Sequence, residues 1–310
     1  MKLFDLHCDT PYEIAHKRVP LAKNDLHISH DKTAPYTAYI QSAAVWSDCR
    51  LSDEDAWGEY LRISEHFARE VVSTPRAILG RTAEDLRRAN RTGDRCFIPA
   101  VEDARILSGD LTRLDFLKNN GVRFLTLMWA GESCIGGSHD TDKPLTDFGR
   151  SVVERCFELH IIPDVSHASR AVTADVLQLA KDYGKPVIAT HSNAYSVHPH
   201  TRNLTDEEFH AIADTGGIVG ISLCPEHLCT GKCDIESVAE HIRHYIRLGG
   251  EDSLCLGCDF DGIGETPDGL ENVSCLPRLA DHLCTVGIPA RVTDKLFFDN
   301  AYGFAVENFQ

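Results

Sequence analysis

The chain switches period again and again along its length. Short runs rich in β-branched and aromatic residues alternate with stretches whose apolar residues recur at helical spacing. No long Pro/Ser/Gly linker, low-complexity tract or charge block interrupts them. Such alternation is how parallel strands joined by crossover helices read in sequence. Eight β-rich runs can be counted: "KLFDLHCD", "AYIQSAAVW", "CFIPAVE", "VRFLTLMW", "IIPDVSH", "PVIATHS", "GIVGISLC" and "SLCLGCDF". Helical stretches fall between most of them: residues 53–72, then "LTRLDFLKNN", "FGRSVVERCFELH", "TADVLQLAKDYG", "TDEEFHAIADTGG" and "IESVAEHIRHYIRLGG". Thr173 and Thr205 read as N-caps, and "ADTGG" and "RLGG" as glycine stops. Eight strands with intervening helices in 310 residues predict an α/β fold, a (β/α)8 TIM-like barrel built as one domain over 1–310. An open α/β sheet is the second choice. Residues 10–35 are expected to form a long loop over the barrel mouth.

Charge and cysteine usage narrow the function classes. Lys and Arg number 31 against 47 Asp and Glu, a net charge of −16, which argues against a nucleic-acid partner. No window of 18 consecutive apolar residues offers a membrane span. The start, "MKLFDLHCD", lacks the long apolar region of a secretion signal, so a cytoplasmic protein is expected. The twelve cysteines are then read as reduced thiols. Cys224, Cys229 and Cys233 cluster around His227 in "CPEHLCTGKC", but no close CxxC pair marks a zinc site, and loop cysteines without metal are the preferred reading.

Chemistry in such barrels sits at the C-terminal ends of the strands. His7 and Asp9 end the first run; residues two apart on a strand point the same way. Glu102 ends "IPAVE", His167 ends "PDVSH", His191 follows "VIAT" and Asp259 lies in "LGCDF". Three histidines and three carboxylates therefore reach one face from five strands. Any one of them alone reads more simply as a hydrogen-bonded residue. Together they do not, because three clustered buried carboxylates are costly unless cations neutralise them. Imidazole and carboxylate ligands without thiolate suit Zn²⁺, with Mn²⁺, Fe²⁺ or Co²⁺ as alternatives. Six ligands exceed what one tetrahedral zinc with an open position needs. They fit two metals bridged by one carboxylate, which can hold a hydroxide between them for hydrolysis.

At these residues the sequence resembles the membrane (renal) dipeptidase family, binuclear zinc peptidases within the amidohydrolase-like metal-dependent barrels. The matching pieces are "FDLHCDT", the Glu102 segment, "DVSH", "THSNA", "RN" at 202–203 and "GCDFDG"; "LFFDNAYGFA" is similar to the family's closing helix. The resemblance implies that His7, Asp9 and Glu102 serve the first metal. Glu102 bridges to a second held by His167 and His191. It implies that Asp259, beside the first metal, accepts and relays the proton. Arg202 matches the position that grips a dipeptide's free carboxylate, for which an Arg fork is suited. One departure stands out: where well-studied members carry a substrate-contacting His at the end of strand 4, this chain has Trp129. An indole donates one hydrogen bond but neither gains charge nor ligates metal. Trp129 is thus expected to reshape the substrate pocket. His139, His198 and His200 lie in loops near the same face. The expected activity is hydrolysis of small dipeptides, including those with a C-terminal D-residue, and a homodimer is carried over from the family. The alternatives are a related barrel hydrolase acting on another amide or a lactone, and a metal-binding homologue without turnover.

Overall fold

The computed structural model describes residues 1–309. Eight strands form one parallel sheet: β1 (Lys2–Asp5), β2 (Ala38–Trp46), β3 (Ala77–Leu79), β4 (Arg95–Glu102), β5 (Phe124–Thr126), β6 (Ile162–Asp164), β7 (Val219–Ile221) and β8 (Leu254–Leu256). The pairing order is β6-β5-β4-β2-β1-β8-β7. The two ends are joined through Ile188, which bridges Asp164, and Ala189, which bridges Val219. Closure makes this a TIM-like barrel and removes the open-sheet alternative.

Two expectations about strands need correction. The run "PVIATHS" contributes only those two bridges, because its amides are diverted to side chains. Thr190 N donates to Asp164 Oδ1 (2.9 Å) and His191 N to Ser166 Oγ (3.1 Å). A backbone group satisfied by a side chain is no longer available to the ladder. The eighth strand is instead β3, which pairs with the first half of β4 on the edge that β5 takes further along. Its three residues are too short to carry a periodic signal.

Alternate strand residues divide into two layers, as the pleat requires. Phe4, Ile40, Ile98, Phe124, Ile162, Ile188, Ile218 and Cys255 form one buried cluster inside the barrel. Leu3, Tyr39, Phe97, Leu125, Val219 and Leu256 pack outward, where Ile63, Phe67, Val153, Val176, Phe209 and Ile242 of the surrounding helices cover them. The helix Asn300–Asn308 closes the N-terminal end of the barrel, as the family resemblance implied. Phe298 lies under Lys2 at the start of β1, and Phe309 meets Phe124 at the start of β5.

Thr205 caps its helix through a reciprocal box with Glu208, as expected. Thr173 does not cap. The helix starts one turn earlier, at Arg170, with Ser169 accepting from Val172 N. Residues 10–35 are not all loop either. Thr10–Lys17 is a helix opened by Pro11, whose fixed φ suits a first turn. Among the described residues, no helix is long and apolar enough to cross a membrane.

Candidate metal centre

The six strand-end residues converge. Ligand atoms of His7, Asp9 and Glu102, of Glu102, His167 and His191, and of His7, His191 and Asp259 each fall within 4.8 Å of one another. Glu102, the last residue of β4, is central. Its Oε1 lies 3.0 Å from His167 Nε2 and 3.4 Å from His191 Nε2, while Oε2 lies 3.5 Å from His7 Nε2. Asp9 Oδ2 is 3.5 Å from the same His7 nitrogen. Barrel closure does this: the six residues follow five different runs of the barrel wall, His7 and Asp9 sharing the first, so sheet curvature aims all of them at one point.

The backbone is strained where it delivers these groups. His167 (φ 67°), Asp259 (φ 63°) and Asp103 (φ 78°), next to Glu102, occupy the left-handed region that non-glycine residues avoid. Each costs on the order of 1–3 kcal/mol and persists where the surroundings over-determine it. Close approach matters as well. A Cβ on Gly262 would lie 2.2 Å from Asp9 Oδ2 and 2.5 Å from Asp259 Oδ1, so both carboxylates need a glycine there.

Hydrogen bonding behind the site fixes which ring nitrogens face inward. His167 Nδ1 donates to the Trp129 carbonyl (3.1 Å), leaving Nε2 with its lone pair. Thr190 Oγ1 donates to Asp164 Oδ2 (2.5 Å), so it accepts from His191 Nδ1 (2.8 Å), and His191 Nε2 also keeps a lone pair. The two bare nitrogens stand 2.9 Å apart beside one carboxylate oxygen. His7 Nε2 and Asp9 Oδ1 are buried without hydrogen-bond partners. Two facing lone pairs and orphaned buried polar atoms are what a divalent cation would satisfy. The donor set therefore fits the expected metals.

Electrostatics agree. Burial pushes the Asp9 carboxyl well up and the Asp259 carboxyl up to about 7, with the Glu102 charge adding to both. Burial opposes the His7 imidazolium, yet Glu102 and Asp9 outweigh it and hold His7 well above the usual range. His167 is pushed down to about 4 and His191 well below its ordinary value, by burial first and then by neighbouring positive charge. The site thus keeps neutral imidazoles at one side and sets clustered carboxylates around His7 at the other.

Asp164 was not singled out by sequence, although it belongs to "DVSH". It is fully buried and accepts from Thr126 Oγ1, Thr190 Oγ1, Ser166 N and Thr190 N, so it orients His191 through Thr190.

A cleft of about 320 Å³ opens over the centre, reaching Asp9, Glu102, His167 and Asp259. Trp129 lines it and meets Trp46 edge-on at 4.9 Å between ring centroids; Tyr12 meets Trp46 in turn at 4.8 Å. Tyr12, Glu13, Trp46, Cys224, Asp261, Gly262 and Ile263 complete its walls together with His227, which the sequence tied only to the cysteine cluster. No spacing in the sequence marks these wall residues.

Arg202 is 5 % exposed. Its Nη2 donates to the His191 carbonyl (3.4 Å) and its Nε has no partner. Asn203 holds this loop in place, donating to the carbonyls of His198 and His227 at 2.8 Å each. His139 bonds Thr201 Oγ1 (2.8 Å), and the rings of His200 and His227 lie 4.7 Å apart, forming a histidine rim around Arg202. The cysteine expectation fails at one point. Cys229 and Cys233 form a disulfide, because the turn between them brings their Cα atoms to 6.0 Å, inside the bridging range.

Comparison with known proteins follows the same line. The chain is 33% identical over 232 residues to an uncharacterized protein encoded in the pqqA 5′ region of Klebsiella pneumoniae, covering 71% of this chain and 84% of that one. It superposes with a TM-score of 0.91 on a metallo peptidase from Rhodobacter sphaeroides liganded with a phosphinate mimic of the dipeptide L-Ala-D-Ala (26% identity, 100% and 99% of the chains covered). The dipeptidase AC, a metallo peptidase of family M19, also gives 0.91 (27% identity, 99% and 98% covered). Residues 1–302 match the profile of the membrane dipeptidases, peptidase family M19. With that match spanning the barrel and every strand end that builds the site, the chain belongs to the membrane dipeptidase family and is a metal-dependent dipeptidase, a hydrolase.

Proposed function

We propose that this chain hydrolyses free dipeptides on a two-metal centre, with zinc as the fitting ion and a C-terminal D-residue accepted. The observation that carries the reading is the pair of bare Nε2 atoms of His167 and His191 facing Glu102 Oε1, with His7 and Asp9 grouped on Glu102 Oε2. Glu102 spans the two groups and so fits as the bridging ligand. When bound, the ions would polarise the scissile carbonyl and acidify water. The protein's own groups do the rest. Arg202 holds the substrate's terminal carboxylate through its unpaired Nε edge. Asp259 takes the proton of the attacking water on a carboxylate oxygen and returns it to the leaving amine nitrogen. Trp129, unable to take a charge, walls the cleft and fixes His167 through its carbonyl. The D-residue is supported by the likeness to the peptidase that holds an L-Ala-D-Ala mimic.

The test is metal analysis of purified protein, alone and as His191→Ala, alongside amino-acid release from panels of L,L and L,D dipeptides. Two ions per chain, a loss in the variant and release in at least one panel are expected. Full metal loading with no release from either panel would defeat the reading. Arg202→Ala adds a second check. Its KM for free dipeptides should rise about tenfold or more, the scale of a lost charge-assisted pair, while C-terminally amidated analogues change little.

A further inference from the structure

The cleft is polar at both ends, and the two ends differ in sign. At one end the cleft is walled by His227, whose carbonyl holds Asn203 of the loop that carries the buried Arg202, so the positive charge lies behind that wall. At the other end the helix Thr10–Lys17 turns Glu13 into the cleft. From Glu13 a second hollow of about 360 Å³ continues outward, sharing Glu13, Asp261, Gly262 and Ile263 with the first. Its carboxylates are Glu13, Asp25 and Asp261, and Lys17 is the ammonium among its lining residues. Lys17 Nζ lies 2.5 Å from Glu13 Oε2, but the Lys17 side chain is 59% exposed, so this is a weak pair that a ligand can replace. Asp261 is tied up by Thr10 Oγ1 and His27 N, at 2.6 Å each. Glu13 has no such anchoring. The rings of Tyr12, Trp46 and Trp129, packed edge to face in a row, line the same cleft as Glu13 and the strand-end carboxylates.

We propose that the N-terminal residue of the preferred dipeptide carries a cationic side chain, of the lysine, ornithine or arginine kind, with its stem along Trp46 and Tyr12 and its charge at Glu13. The inference rests on the dipeptidase reading, because that reading sets the direction. With the terminal carboxylate at Arg202 and the scissile bond over Glu102, the N-terminal side chain is the part left facing the acidic end. Aromatic faces favour a cation passing over them, and a half-buried carboxylate completes the pocket. Glu13 and Trp46 are then specificity-determining residues.

The experiment compares kcat/KM of zinc-loaded protein on Lys-Ala, Arg-Ala, Leu-Ala and Glu-Ala, with D-alanine counterparts, for wild type and Glu13→Gln. In parallel, isothermal titration measures the affinity of phosphinate mimics of Lys-Ala and Leu-Ala. Lys-Ala should exceed Leu-Ala by about tenfold, the scale of one partly exposed charge pair and one cation–ring contact, with Glu-Ala poorest. In Glu13→Gln the Lys/Leu ratio should collapse toward one, and added salt should shrink it in the wild type. A Leu-Ala rate equal to or above Lys-Ala, or a Glu13→Gln variant that lowers both alike, overturns the proposal. If no dipeptide is cleaved, the peptidase reading falls separately. The titration then decides the present one, equal affinity for the two mimics overturning it. Glu13 sits on a partly exposed helix face, and a thermal melt of the variant confirms that it folds.

Discussion

Replacing Thr190 by valine probes the layer behind the metal centre. Valine keeps the shape and removes one hydroxyl. In the folded protein that hydroxyl accepts from His191 Nδ1 at 2.8 Å and donates to Asp164 Oδ2 at 2.5 Å, with His7 Nδ1 at 3.4 Å. Its loss frees His191 to rotate or to change tautomer, so that Nε2 no longer holds its lone pair toward Glu102. Groups that orient a metal-ligating histidine are typically worth 10–100-fold in metal affinity, or about 1.4–2.7 kcal/mol. The apo protein should also lose about 1–3 kcal/mol, since a buried N–H is left without an acceptor. Zinc Kd by competition with a chelator measures the first effect, and denaturant unfolding of the stripped protein the second. Thr190→Ser, which restores the hydroxyl, should recover most of both. A valine variant whose zinc affinity stays within about twofold of wild type would refute the argument that Asp164 acts on the metal through Thr190.

Other outcomes follow from the same structure. Stripping metal with a chelator should lower Tm by several degrees, and zinc at a hundredfold excess over its Kd should restore about 2.7 kcal/mol; a melt indifferent to zinc would deny the site. Gly257→Ala should abolish soluble expression or cost about 3 kcal/mol, because its Cβ would fall 1.6 Å from the Thr190 carbonyl oxygen, as seen in the yield and unfolding midpoint of the variant. Thiol counting on unreduced, denatured protein should find 10 of the 12 cysteines, and 12 after reduction; 12 at the outset would mean that Cys229 and Cys233 are unpaired.

Much of the fold was legible in the sequence because barrel strands are buried on both faces and so read as continuous apolar runs, while the helices between them keep a clear period. The exceptions are instructive. The run at 186–192 is apolar enough for a strand, yet Asp164 and Ser166 capture its amides. The missed strand Ala77–Leu79 is held by pairing with Arg95–Phe97, a contact between residues far apart in the chain. The Thr173 cap lost to Ser169 because two hydroxyl residues compete for one helix start, and the register of the packed helix chooses between them.

The sequence by itself determined the barrel, the family and the identity of the six groups at the strand ends, since strand termini are local and their chemistry is written in residue type. Only the folded chain decided which imidazole nitrogens point inward, that Asp164 steers His191 through Thr190, that Arg202 is buried with its Nε unpaired, and that Tyr12, Glu13, Trp46 and His227 wall the cleft. Those features come from strand ends, the helix Thr10–Lys17 and loops of different βα units meeting at the top of the barrel. No periodicity records such meetings, because each depends on how the closed sheet curves the loops toward one another in space.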